Sequence, residues 1–172
     1  EKDAGVIIEM LETGKIPYRV THNDTKLNNI MIDNTTGTGI CVIDLDTVMP
    51  GAACYDFGDS IRFGASTAAE DETDLEKVSM SLKLFEVFTK GYLSVANEFL
   101  TPAEVESLAI GAKIMTFECG IRFLTDYLNG DKYFKIHREH HNLDRCRTQF
   151  KLVADMEQKM NQMQEIVKKY SK

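Results

Sequence analysis

Three polar residues have the types and the spacing of a phosphoryl-transfer centre. Asp24 and Asn29 are five residues apart, and Asp44 follows Asp24 by twenty residues. In kinase-type centres one carboxylate accepts the proton of the attacking hydroxyl, while an amide and a second carboxylate hold Mg²⁺ on the nucleotide phosphates. The spacing therefore predicts Asp24 as the catalytic base, Asn29 and Asp44 as Mg²⁺ ligands, and ATP as the co-substrate.

The elements around these residues are expected to bring them together. Residues 18–21 predict a short strand that leads into the loop with Asp24. Residues 30–32 and 40–43 predict two more strands, and the polar, Gly-rich residues between them predict a hairpin. A hairpin brings the ends of its strands together, so Asn29 and Asp44 are expected to converge on one ion. Asp46 lies on the same side as Asp44 if the segment is extended, where it either assists the metal or supports the loop.

A second candidate for the metal-binding carboxylate is Asp56, in the triplet Asp56-Phe57-Gly58. This triplet spells the D-F-G that holds Mg²⁺ in protein kinases. It lies 32 residues after Asp24, however, and follows Pro50 and Gly51, so no strand is expected before it. Asp44 follows an apolar strand, and it is therefore preferred as the metal ligand.

Longer motifs around these residues resemble a known family. The segments THNDTKLNNIMID, CVIDLDTVMPG and YDFGDSIRFG resemble the aminoglycoside phosphotransferase and choline kinase superfamily, and within it the bacterial N-acetylhexosamine 1-kinase group. The resemblance runs from about residue 18 to about residue 151. It implies direct transfer of the γ-phosphoryl group of ATP to the anomeric hydroxyl of an N-acetylhexosamine. His22 matches a residue of the catalytic motif that holds the loop through hydrogen bonds, and Asp56 matches an internal support of the loops.

The same resemblance implies a set of acceptor-binding residues, which are Thr47, Phe63, Arg122 and Tyr133. Each stands in a segment that is similar to the hexosamine kinases: IDLDTVMPG, DSIRFGA, GIRFLTDYL and DKYFKIHR. Phe63 has the alternative of being an ordinary core residue. Arg122 lies in a largely apolar helix, where an unpaired charge is costly, so it is expected to face either a carboxylate or the acceptor cavity.

The rest of the chain predicts helices. Apolar residues at helical spacing predict a helix over residues 75–99, and Thr101 with Pro102 and Glu104 forms the pattern of a capping box that starts another. A Met-rich stripe predicts a long amphipathic helix from Asp144, packed on this chain's own helices or on a partner. The expected fold is α+β and mostly helical: a single domain over residues 1–172, like the C-terminal large lobe of a protein-kinase-like fold.

A nucleotide-gripping lobe is not evident in the sequence. Only 23 residues precede Asp24, and they contain neither a Gly-rich loop nor a G-x-x-x-x-G-K-[ST] motif. We therefore expect the chain to be the catalytic and acceptor-binding part of a longer enzyme, with the missing N-terminal lobe as its partner. By itself, the fragment is expected to be inactive.

Composition and charge exclude several classes of protein. The net charge of −7 argues against nucleic-acid binding, which needs a basic surface. No apolar segment is long enough for a membrane span. The four cysteines lack metal or redox spacing and lie in apolar segments, which predicts reduced thiols in or near the core of a cytoplasmic protein.

Two further clusters have ordinary explanations. His137, His140 and His141 have no convincing Cys or carboxylate partners in sequence, so we expect a solvated loop or a rim of the acceptor site rather than zinc. The residues that follow them, 142–144, are expected to cap the last helix. The acidic run at residues 70–74 is expected at a helix N-terminus, where the helix dipole favours negative charge.

Other functions remain open. An aminoglycoside or an amino alcohol such as choline is the alternative acceptor, and several carboxylates around the acceptor site would favour it. A non-catalytic kinase-like binding module is a third hypothesis, which the three intact residues Asp24, Asn29 and Asp44 oppose. A sulfatase-type hydrolase would need a C-x-P-x-R or S-x-P-x-R segment, which the sequence lacks.

Overall fold

A computed structural model describes residues 3–172 as a protein with two small sheets and a mostly helical fold, the latter as the sequence predicts. The elements are α1 (Val6–Glu12), β1 (Arg19–Thr21), β2 (Ile30–Ile32), β3 (Gly39–Val42), β4 (Met49–Gly51), α2 (Ala53–Gly64), α3 (Leu82–Ala96), α4 (Pro102–Leu128) and α5 (His141–Tyr170). In this part of the chain no helix has the length and apolar character that crossing a membrane requires.

The predicted hairpin is present. Strands β2 and β3 pair antiparallel, with Ile30 opposite Val42 and Met31 opposite Cys41. The Asp33 carboxylate accepts two backbone N–H bonds within the connecting turn, at 2.9 and 2.8 Å. Gly37 supplies the positive φ of 69° that the turn requires.

A second strand pair was not expected from the sequence. Strand β4 pairs antiparallel with β1, placing Arg19 opposite Gly51 and Thr21 opposite Met49. The expectation that no strand precedes Asp56 is therefore wrong. Pro50 is compatible with this strand because the sheet has only two strands, so both are edges. Strand β1 leads into the loop that carries Asp24, and β4 leads into α2. Their pairing therefore places the start of this loop beside the start of α2.

Helix α4 packs between α2 and α5 and forms the centre of the core. Two glycines allow its close approach to α2. A Cβ added at Gly58 would lie 2.6 Å from the Gly111 carbonyl oxygen, and one added at Gly111 would lie 2.6 Å from the Cys54 carbonyl oxygen. On α5 the methionines Met156 and Met163 are fully buried in the same core. The Met-rich stripe therefore packs on the chain's own helices.

The helix predicted over residues 75–99 begins later. Residues 75–77 form a single 3₁₀ turn, and α3 starts at Leu82, with the Ser81 hydroxyl accepting a bond from the third residue on. Between them Val78 and Met80 are buried in extended backbone, and the Met80 N–H donates to Asp155 of α5. Val78 lies four residues before Leu82, so its burial in extended chain imitates helical spacing. The capping box at Thr101 is present as predicted.

Helix α5 begins at His141, three residues before Asp144. The residue before it, His140, occupies the N-cap position with φ 58°, and its side chain makes no capping hydrogen bond. Asn142 is therefore not a cap: it is buried and donates to Asp126 and Asp131. The expectation of a cap over residues 142–144 is wrong because the chain enters α5 through a left-handed turn.

The acidic run is a loop and not a helix N-terminus. Its carboxylates bind basic groups of two other elements: Glu70 accepts a bond from Arg62 of α2 at 2.6 Å, and Asp71 lies 3.0 Å from His141 Nε2. Only Asp74 caps a helix, the 3₁₀ turn that follows it. These contacts with basic side chains of α2 and α5 explain the negative charge better than a helix dipole does.

Three of the four free cysteines are buried, namely Cys54, Cys119 and Cys146. Cys41 is exposed, contrary to expectation, because the apolar residues of its hairpin are themselves exposed: Met31 is 51% and Ile40 62% exposed. The β2–β3 hairpin is thus an apolar surface without a partner among residues 3–172.

Candidate active site

The loop between β1 and β2 carries Asp24 and is fastened to the first turn of α2. The Asp56 carboxylate accepts the backbone N–H groups of His22 and Asn23 at 2.8 and 2.7 Å. Thr25 closes the loop by donating its hydroxyl to the Asp56 carbonyl at 2.5 Å. Both carboxylate oxygens of Asp56 are used by the loop, which agrees with the expected internal support and not with a metal ligand.

The Asp24 carboxylate has one oxygen held by donors and one oxygen free. Its Oδ2 accepts bonds from Asn29 Nδ2 at 2.8 Å and from Lys26 Nζ at 2.7 Å. Asn29 Nδ2 also donates to the Asp24 carbonyl at 2.8 Å, which fixes the backbone. Asp24 Oδ1 has no hydrogen bond among the described residues. The side chain is partly exposed, so Oδ1 is placed to accept a proton from a ligand hydroxyl.

Two opposing effects set the protonation of the Asp24 carboxylate. Burial raises the pKa of Asp24, but the hydrogen bonds from Lys26 and Asn29 and the charge of Lys26 outweigh it. The pKa of Asp24 is therefore below its ordinary value. The carboxylate is ionised at neutral pH, as a general base must be.

His22 holds the catalytic loop to the end of the hairpin. Its Nε2 lies 2.9 Å from the Ile43 carbonyl oxygen, and its Nδ1 accepts the Asp24 N–H at 3.3 Å. An accepting Nδ1 places the proton on Nε2, which then donates to Ile43. His22 therefore connects the loop to the residue before Asp44, in line with a supporting role.

Asn29 and Asp44 are neighbours across the hairpin. The Ile43 N–H donates to the Asn29 carbonyl at 2.9 Å, which brings the following residue, Asp44, beside Asn29. Asn29 Oδ1 has no hydrogen bond in the described chain. Asp44 is exposed, has a left-handed backbone with φ 64°, and makes no ion pair with any residue of 3–172. Such backbone strain is typical of functional sites.

These two side chains fit the needs of Mg²⁺. The ion prefers oxygen ligands and takes only one or two from the protein when phosphates supply the others. Asn29 offers an amide oxygen and Asp44 a carboxylate, both without a hydrogen-bond partner among residues 3–172. Asp46 is also exposed and unpaired within the described range. No cluster of three His, Cys, Asp or Glu side chains suited to a metal occurs in residues 3–172, so the three histidines form no such site.

A cavity of about 410 Å³ opens beside Asp24, and three of the four predicted acceptor residues line it. They are Thr47, Arg122 and Tyr133. Phe63 does not line this cavity: α2 turns Asp59 and Arg62 toward it, and Phe63 lies further round the helix, 37% exposed. The structure therefore does not bring Phe63 to the other three.

Thr47 is part of the loop framework. Its hydroxyl donates to the His22 carbonyl at 2.6 Å, and its carbonyl accepts Asn23 Nδ2 at 2.9 Å. The Thr47 hydroxyl is therefore already used as a hydrogen-bond donor within the protein. Its oxygen keeps a lone pair with which it can accept a bond from a ligand.

Arg122 faces both of its expected partners. Its guanidinium lies 3.7 Å from Glu118, one turn earlier on α4, and it also lines the cavity. The guanidinium is 5.8 Å from the centre of the Tyr133 ring and 5.4 Å from that of Phe134. Arg122 and two aromatic rings therefore form one wall of the cavity.

Charged residues outside the predicted acceptor set, namely Asp59, Arg62, Glu70 and Arg145, form the floor of the cavity. Arg62 is almost fully buried and contacts Asp59 at 2.9 Å and Glu70 at 2.6 Å. Arg145 of α5 lies 3.7 Å from Glu70. The spacing of Asp59 and Arg62, three apart on a helix, was a usable signal for their pairing. The partners Glu70 and Arg145 could not be found in this way because they come from other elements.

The comparison with protein families covers the segment that holds the predicted catalytic residues. The model of the Phosphotransferase enzyme family matches residues 4–82. This range contains Asp24, Asn29, Asp44 and Asp56, and it ends before Arg122 and Tyr133. The match supports a kinase-type phosphotransferase of the aminoglycoside phosphotransferase superfamily, and it leaves the acceptor undetermined.

Proposed function

We propose that this chain is the catalytic and acceptor-binding part of an ATP- and Mg²⁺-dependent kinase for a small sugar. The observation that carries the proposal is the arrangement of Asp24: one oxygen is held by Asn29 and Lys26, and the other is free on a cavity. Asp44, unpaired within residues 3–172, stands beside Asn29 across the hairpin.

The chemistry follows from these positions. Asp24 Oδ1 accepts the proton of the acceptor hydroxyl as its oxygen forms a bond to the γ-phosphorus of ATP and the bond to the bridging oxygen of ADP breaks. Asn29 and Asp44 would hold Mg²⁺, which when bound would neutralise charge on the phosphates. Lys26 keeps Asp24 ionised before the acceptor arrives.

For the acceptor we propose an N-acetylhexosamine, phosphorylated at the anomeric hydroxyl. The cavity offers Thr47 as an acceptor of hydrogen bonds, Arg122 as a donor and Tyr133 as an aromatic face, a combination that suits a sugar. Its carboxylates are paired: Asp24 with Lys26, and Glu118 with Arg122. The floor carboxylates are likewise paired with arginines. A neutral sugar fits this balanced charge better than a polycationic aminoglycoside does.

We also propose that a nucleotide-binding lobe outside the described residues packs on the exposed face of the β2–β3 hairpin. This face presents Met31, Ile40 and Val42 to solvent, each more than half exposed. Apolar surface of this kind marks an interaction site. The chain alone then corresponds to the large lobe of a kinase-like fold, without activity of its own.

The experiment is Mg²⁺-dependent ADP release by the full-length enzyme, with N-acetylglucosamine, N-acetylgalactosamine, an aminoglycoside and choline as separate acceptors. Turnover with the N-acetylhexosamines alone is the expected result. Turnover only with an amine-bearing acceptor would keep the mechanism and replace the substrate. ATP binding without turnover on any acceptor would favour a binding module. Residues 1–172 assayed alone should be inactive.

A further inference from the structure

Asp126, near the end of α4, is a buried carboxylate that accepts an unusual set of hydrogen bonds. It is 6% exposed. Its Oδ1 accepts the backbone N–H groups of Lys132 and Tyr133 at 2.9 and 2.8 Å, and its Oδ2 accepts that of Phe134 at 2.9 Å. Asn142 of α5 donates to Oδ2 at 2.9 Å. One side chain thus binds three consecutive amides and a second helix.

We infer that Asp126 is a positioning residue for acceptor binding, which fixes residues 132–134 as a wall of the acceptor cavity. This inference rests on the proposed function, since it assigns a role in the same cavity. Asp126 does not itself line the cavity beside Asp24. It acts through the segment that it holds.

The segment held by Asp126 carries the aromatic wall. The rings of Tyr133 and Phe134 pack edge to face with centroids 4.8 Å apart, and the Arg122 guanidinium lies over both. Arg122 is one helical turn before Asp126, so a single turn of α4 supplies both the cation and the anchor of the rings. If residues 132–134 were released, Arg122 would lose the rings that orient it.

The backbone of this connection needs such an anchor. Gly130 has φ 86° and Asp131 has φ 54°, so the chain reverses sharply after α4 through two left-handed residues. Three N–H groups then point toward one place, and the Asp126 carboxylate occupies it. Burial raises the pKa of Asp126, but the three amides and Asn142 lower it more strongly, so the anchor remains ionised at neutral pH.

The test compares Asp126→Asn with Asp131→Asn in the full-length enzyme. The control makes the same change five residues later and also affects a partner of Asn142, but Asp131 holds none of the three amides. Asn at position 126 can accept at only one of its two terminal atoms, so some of the amides lose their partner. We expect the KM for the acceptor to rise roughly tenfold to a hundredfold in Asp126→Asn. The KM for ATP and the slow hydrolysis of ATP by water should be unchanged.

Hydrogen exchange provides a readout that does not depend on activity. The amides of residues 132–134 should be protected in the wild type, and in Asp126→Asn they should exchange much faster while α4 and α5 keep their protection. Rapid exchange in the wild type would overturn the inference even if the variant failed to fold. An acceptor KM equal to that of Asp131→Asn would overturn it as well. The wild type could also show protected amides at residues 132–134 and yet phosphorylate no acceptor. That result would refute the proposed function, and with it the role of Asp126 in acceptor binding.

Discussion

Asp56→Asn should weaken both the stability of the protein and its rate of phosphoryl transfer, without changing its requirement for Mg²⁺. Asp56 accepts the N–H groups of His22 and Asn23 at 2.8 and 2.7 Å, one on each carboxylate oxygen. An asparagine accepts at one terminal atom only and presents an NH₂ group to the other N–H. The loop that carries Asp24 therefore loses one of its two bonds to the Asp56 side chain.

The magnitude follows from that lost bond. A hydrogen bond to a charged acceptor contributes about 1.5–3 kcal/mol, so we expect a loss of about 2 kcal/mol in the free energy of unfolding. For a chain of this size that lowers the melting temperature by roughly 4–8 °C. A shift of about 1 Å in Asp24 lowers kcat by up to roughly a hundredfold.

The assay combines thermal unfolding with ADP release at increasing Mg²⁺. Asp33→Asn is the control for loss of charge alone, because both backbone N–H bonds of Asp33, at 2.9 and 2.8 Å in the hairpin turn, go to its Oδ1, which an asparagine keeps. It should leave kcat nearly unchanged. A variant at Asp56 that kept its melting temperature and needed much more Mg²⁺ would refute the reasoning, because Asp56 would then be a metal ligand.

Three further predictions concern packing, protonation and the cavity floor. In urea denaturation, Gly58→Ala should lower the free energy of unfolding by about 1–3 kcal/mol. The control Gly91→Ala, which has open space around it, should be neutral or stabilising by up to about 1 kcal/mol. Equal effects of the two substitutions would contradict the close packing of α2 on α4. Burial raises the pKa of Asp24 and Lys26 lowers it, so Lys26→Met should raise this pKa and move the acid limb of the pH profile of kcat/KM to higher pH. An acid limb at the wild-type pH would show that the ion pair between Lys26 and Asp24 is absent in solution. Arg62→Met should lower the free energy of unfolding by about 3–5 kcal/mol, because it leaves buried negative charge unpaired, and a loss below about 1 kcal/mol would argue against the buried network.

The proximity of Asp24, Asn29 and Asp44 could be predicted because it depends on local geometry. Asp24 and Asn29 lie in one loop, and the hairpin that brings Asp44 to Asn29 is encoded by two apolar strands and a Gly-rich turn. The capping box at Thr101 is equally local, since all of its bonds lie within four residues.

The acceptor half depends on packing between elements that are distant in sequence, and the prediction was weaker there. Phe63 follows Arg62 directly, yet only Arg62 faces the cavity, because the rotation of α2 is set by its contact with α4. Glu70 belongs to a run that resembled a helix start, and its partner Arg145 lies 75 residues later. Asp126 carries no motif, and its role depends on the left-handed turn after α4.

The most direct test of the central claim is ADP release by full-length Asp24→Asn, measured beside ATP binding and the melting temperature. The claim that Asp24 Oδ1 accepts the proton of a sugar hydroxyl predicts that turnover with the N-acetylhexosamines falls by roughly a hundredfold or more. ATP binding and thermal stability should remain close to those of the wild type. An Asp24→Asn enzyme that binds ATP and still turns over the sugar at the wild-type rate would contradict the account.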